Sequence, residues 1–105
     1  MLNNEEFLQL HTSYVEIGKL VQKYGGQYSN GILNMLIGQI NCIDSDENND
    51  KKLQYLIYNH HGLFVSKGGL SDFVIYVEDR ELRNQLNKRL DEEEKKVWSI
   101  MKEYV

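Results

Sequence analysis

Two residue types are missing from this 105-residue chain: it has no proline and no alanine. Ordinary usage would place roughly five prolines in a chain of this length. Their absence excludes a proline-rich linker and a collagenous segment, and the lack of alanine excludes an alanine-rich low-complexity tract. Cysteine is almost absent as well. Cys42 stands alone, so an intrachain disulfide and a cysteine-rich zinc site are both excluded. It falls in the apolar stretch from Ile32 to Ile43, with no cationic sequence neighbour to activate a thiolate, and is read as a small core hydrophobe. No apolar run approaches the roughly 18 residues of a membrane span. The first residues, Met-Leu-Asn-Asn-Glu-Glu, are acidic where a secretory signal is basic, so the expected compartment is the cytoplasm, with no membrane partner. Basic charge is also scarce. Twelve Lys and Arg stand against 16 Asp and Glu, a net charge of -4, which argues against nucleic acid as a primary ligand.

What remains is the composition of a globular protein, 41% hydrophobic and 27% charged. A chain of this length buries roughly two thirds of its unfolded surface, enough for one core without metal or disulfide support. No repeat or boundary divides it, and residues 1–105 read as a single domain.

Hydrophobic spacing gives most of the architecture. Phe7, Leu10, Tyr14, Ile17, Val21 and Tyr24 recur at steps of three and four, the period of one helical face, with Leu8 and Val15 widening the stripe. Asn3 or Asn4 caps this helix and Gly25-Gly26 stops it, which predicts helix over residues 4–24. Ser29 is the expected cap of a second helix carrying Ile32, Leu36, Ile40 and Ile43. That segment is apolar almost all round and reads as the most buried helix, forming an antiparallel nucleus with the first. Gly38 within it offers close approach to another helix. The polar run from Asp44 to Asp50 is a loop, after which Asn49 or Asp50 caps a third helix bearing Leu53, Leu56, Ile57 and His60 on one face. Phe73–Val77 is β-branched and aromatic throughout, a local strand signal. It either pairs with Leu63–Val65 as a hairpin or is turned helical or irregular by tertiary packing. Asp79 caps a long final helix with Leu82, Leu86, Leu90, Val97 and Met101 on its apolar face and Trp98 as a packing anchor. The expected fold is mainly α, a small bundle of about four helices with a short extended or hairpin segment near residues 63–77.

Motifs for chemistry are sparse. Asp44, Asp46 and Asn48 match the first three ligand positions of an EF-hand loop. Asn49 then stands where the turn requires glycine, and Tyr55 where a bidentate glutamate is needed. Adjacent His60 and His61 point about 100° apart on a helix, unlike the i,i+4 pair that holds zinc. An enzyme or metal site would have to use His60, His61 and Asp72. Glu92, Glu93 and Glu94 spread around a helix as a solvated face. No nucleophile elbow and no phosphate-binding glycine loop is present. No catalytic residue, cofactor or metal is therefore expected.

Gly68-Gly69-Leu70-Ser71-Asp72-Phe73 is the most distinctive punctuation, a turn that Ser71 or Asp72 can close by a side-chain hydrogen bond. With the helices around it, residues 50–104 resemble a family of small bacterial helical domains of unknown function that share a Gly-Gly-x-Gly-Ser-x-Asp-like turn before their last helix. Leu70 stands here in place of the third glycine of that pattern. Such domains are similar to immunity-type proteins encoded beside toxins; together with the small size, the lack of catalytic residues and the acidic loop, the expected function is a binding protein that neutralises a cognate toxin by occlusion. Residues 28–50 carry four acids and no base. Asp44, Asp46, Glu47 and Asp50 are accordingly the expected contacts to a basic protein partner. The alternative is a structural or regulatory homo-oligomer built on the half-polar final helix.

Overall fold

The computed structural model describes residues 1–65 and 67–105. Among the described residues there are four α-helices: α1 (Asn4–Tyr24), α2 (Asn30–Asp44), α3 (Asn49–Leu63) and α4 (Arg80–Met101). One-turn 3-10 segments at Gln27–Ser29 and Leu70–Asp72 complete the regular structure, and no strand occurs among the described residues. The expected four-helix, mainly α fold is the one observed, in an elongated body of 44 × 24 × 23 Å.

Local chemistry sets the ends of the helices. Asn3 accepts a hydrogen bond from the Glu6 backbone N–H at 2.8 Å, and Glu6 returns one to the Asn3 N–H at 3.0 Å. This reciprocal box satisfies two donors that the first turn of α1 leaves free. Asp79 caps α4 through the Leu82 N–H at 3.1 Å. Two expected caps differ. α3 is capped by Asn48, which accepts from the Lys51 N–H at 2.9 Å, in place of Asn49 or Asp50. Ser29 precedes α2 but does not cap it, because its hydroxyl turns back to the Gly25 carbonyl at 3.0 Å. The link from α1 is a 3-10 turn, and the serine closes that turn instead.

Packing overturns the expected ranking of the helices. α1 is the shared element, lying along both α2 and α4, while α2 also packs on α3. Phe7, Leu10, Tyr14, Ile17 and Val21 are buried as their spacing implies, but Leu8 is 67% exposed and Leu20 widens the stripe in its place. α2 is not the most buried helix. Only Ile32, Leu36 and Gln39 are buried there, and Met35 and Ile37 face outward. Gly38 gives α2 its close approach to α3: a Cβ there would lie 2.8 Å from the Tyr55 hydroxyl.

The Phe73–Val77 segment carries no regular secondary structure, with Phe73 extended, and makes no hairpin, because Leu63 is the last residue of α3 and Phe64 its C-cap. Its alternation is strand-like, with Ile75 buried between exposed Val74 and Tyr76. The partner is a side chain. Asn87 of α4 accepts from the Ile75 N–H at 2.9 Å and donates to the Ile75 carbonyl at 2.8 Å, both bonds that a neighbouring strand would supply. Replacing Asn87 with Leu should leave both Ile75 backbone groups unpaired and cost about 2 kcal/mol. Asn87→Asp should cost at least as much, because a carboxylate oxygen would then face the Ile75 and Arg83 carbonyls that the amide nitrogen now serves. Urea unfolding reads the cost, and amide exchange at Ile75 should accelerate in both variants.

Candidate functional site

The acidic loop lies between α2 and α3, and its charge is partly answered from within the chain. Asp44 pairs with His11 of α1 at 3.1 Å, and Glu47 pairs with Lys51 at 3.8 Å. Lys52 donates to the Ile43 carbonyl at 2.8 Å, and Asn48 uses its side chain as the helix cap. Asp46 and Asp50 are exposed and make no ion pair among the described residues. Lys51 and Lys52 directly follow the acidic run of residues 44–50, and tertiary packing brings His11 beside it. Cys42, beside this loop, is half-buried, and its thiol donates to the Lys52 carbonyl at 3.6 Å. Burial pushes that thiol up, so it remains protonated and packs as a hydrophobe.

The glycine turn is structural. Gly68 adopts φ +82°, the left-handed region open to glycine, and its N–H donates to the Asp72 carboxylate at 2.9 Å. Ser71 donates to the Phe64 carbonyl at 3.3 Å. Asp72 is thereby committed to the turn and does not join the histidines. Among the described residues no group of three metal-ligating side chains forms.

The largest concentration of unsatisfied chemistry lies elsewhere, where the last turns of α3 and α4 meet. A cleft of about 460 Å³ opens there, walled by His60 and His61 of α3 with Phe64 at its C-cap, and by Glu94, Lys95 and Trp98 of α4, with Val105 beyond. Each helix contributes by its i,i+4 spacing: His60 and Phe64 share one face, as do Glu94 and Trp98. The His60 ring lies 4.5 Å from that of Phe64 and 6.5 Å from that of Trp98. Trp98 is 54% exposed, a rim residue and not the expected packing anchor.

The three consecutive glutamates do not form a solvated face. Core positions on α4 run Leu90, Glu93, Val97 and Met101, so Glu93 sits buried in the stripe with Lys96 paired to it at 3.2 Å. Glu94 flanks that stripe inside the cleft, and only Glu92 is freely exposed. One Glu94 oxygen and the His60 Nδ1 are buried without a hydrogen-bond partner. Burial, aided by nearby Asp91, raises the Glu94 carboxyl from its ordinary 4.5 to about 7. Burial, with His61 alongside, lowers the His60 imidazole from 6.5 to about 4. At neutral pH the cleft therefore holds an uncharged histidine and a carboxyl divided between its two forms. Lys95 at its edge is turned to Asp91 at 2.9 Å.

An apolar cleft with few polar groups and shifted titrations is the strongest structural signal of a binding site in this chain. A sequence signal for it existed: once Leu90, Val97 and Met101 fix the core stripe, Glu94 and Trp98 fall on its border. Comparison with protein-family models, with curated proteins and with solved structures finds no match to this chain.

The two shifted groups make opposite contributions to stability. Glu94 holds its proton more tightly when folded, so its contribution is complete below pH 4.5 and is lost as pH rises through about 7. His60 holds its proton less tightly when folded, so its contribution is present above pH 6.5 and is lost as pH falls through about 4. Across the shared window the slopes cancel. Urea unfolding between pH 4.5 and 6.5 should show little net change from this pair in the native chain. Glu94→Gln should unmask stability that rises over that window by at most about 2 kcal/mol, reduced by solvent screening of these part-exposed groups, and His60→Phe stability that falls by a similar amount. Parallel profiles in all three proteins would contradict the assignment.

Proposed function

We propose that this chain is a non-catalytic, immunity-type binding protein that neutralises a basic cognate toxin by occluding it. The observation that carries the reading is a continuous, aromatic-rich face around His61. That residue is a shared wall of the α3–α4 cleft and of a second depression of about 520 Å³ formed with Met35, Tyr58 and Val65. Tyr58 is 79% exposed, and Trp98 stands on the other side of His61. Tyrosine, tryptophan and methionine are the side chains that protein interfaces concentrate, because they bury large areas at modest conformational cost. The resemblance of residues 50–104 to immunity-type domains and the net charge of -4 support the same reading.

Asp44, Asp46, Glu47 and Asp50 lie at the opposite end of α3 from this face. In this reading they steer a basic partner during approach, and the aromatic face carries the affinity. The test uses the product of the adjacent toxin-like gene. The native chain should bind it and rescue growth of cells expressing it. The Tyr58→Ala, Trp98→Ala double variant should keep its helical circular dichroism and lose about a hundredfold or more in affinity. Changing the four acids to their amides should chiefly slow association, most visibly at low salt. Failure of the native chain to bind or protect would overturn the proposal. A mass that grows with concentration in light scattering, and is abolished by the aromatic double variant, would assign the face to self-association instead.

A further inference from the structure

Resting on the binding reading above, we propose that the α3–α4 cleft receives one arginine side chain of the partner, with Glu94 as its counter-ion and the Trp98 ring as its platform. Geometry and charge point the same way. The last turns of two helices border the cleft, and each helix C-terminus carries the negative end of its dipole. Glu94 is the carboxylate that lines the cleft, and one of its oxygens is buried without a partner. The charged and titratable groups around it are Asp91 and Lys95 on its own helix and His60 and His61 on α3. Lys95, the fixed cation among them, is engaged by Asp91 at 2.9 Å, and His60 is held neutral by burial. No cation within the chain satisfies Glu94 among the described residues.

A planar guanidinium suits the site better than an ammonium. It stacks on an indole face and meets a carboxylate with two parallel N–H donors. Phe64 and Val105 would cover its methylene stem. Entry also has a defined proton balance. The guanidinium arrives charged and stays charged, it selects the ionised form of Glu94, and the proton carried by the neutral fraction passes to the buffer.

Trp98 is the single tryptophan of the chain and reports directly on the cleft. The experiment titrates the full chain with N-acetyl-arginine amide and follows Trp98 fluorescence, with the citrulline analogue as the uncharged isostere. The arginine compound should produce a saturable change, about tenfold weaker at pH 6 than at pH 8 because Glu94 must be ionised. The citrulline compound should produce none. Glu94→Gln, checked for native circular dichroism, should lose both the binding and its pH dependence. Equal responses to both compounds, binding indifferent to pH in the native chain, or no saturation into the tens of millimolar would each overturn the proposal. Toxin binding without arginine binding would remove this cleft assignment alone. Arginine binding without a toxin complex would remove the immunity reading and leave the cleft standing.

Discussion

Gln39 is wholly buried; its amide nitrogen donates both to the Tyr14 hydroxyl at 3.3 Å and to the Leu56 carbonyl at 3.1 Å, while its amide oxygen has no partner. One side chain on α2 is thereby tied to α1 and to α3. A primary amide removed from water is costly unless it is hydrogen-bonded, so any slip of one helix past another would break a bond that water cannot replace. Gly38, beside it in sequence, lets α3 come close enough for that bond. Burial also drives the Tyr14 phenol well above its ordinary range, which keeps it protonated and uncharged within the core. Apolar burial supplies the driving force for assembling these three helices, and the Gln39 amide sets their register.

α4 is attached by different means, and the difference leaves room for a site. Its apolar stripe is short, interrupted by Glu93, and its polar ties are peripheral: Arg89 to Glu16 of α1, and Asn87 to the Ile75 backbone. Toward the ends of α3 and α4 the seam does not close. His60 takes a core position without a partner for its Nδ1, and Glu94 reaches the same gap with an unpaired oxygen. Two buried polar atoms that a purely structural seam would have satisfied are left open, and this is the usual physical signature of a surface shaped for something else. The groups offset each other's pH dependence between about pH 4.5 and 6.5, so the fold carries both without a steep change of stability across that window.

Much of the fold was readable from spacing alone. The three- and four-residue steps of α1, the caps at Asn3 and Asp79 and the turn closed by Asp72 follow from local chemistry that neighbouring residues complete among themselves. The misplacements share a cause. α2 looked central because it is apolar all round, yet a helix buries only the faces its neighbours cover, and α1 covers more of the bundle than α2 does. The strand-like signal at Phe73–Val77 matches the alternating burial around Ile75, although no strand forms among the described residues. It was silent about the partner, since nothing local to the segment foretells that an asparagine ten residues beyond it would stand in for a second strand.

The sequence by itself determined the number of helices, most of their limits and the acidic balance of the surface, because periodicity, capping and composition are properties of near neighbours. Tertiary structure decided which apolar residues face solvent, that Asp44 is answered by His11, and that a tryptophan, two histidines and a glutamate from separate helices surround one cleft. Those outcomes depend on how α3 and α4 converge. Convergence is fixed by packing between segments some thirty residues apart, where no local pattern records which side chains will meet.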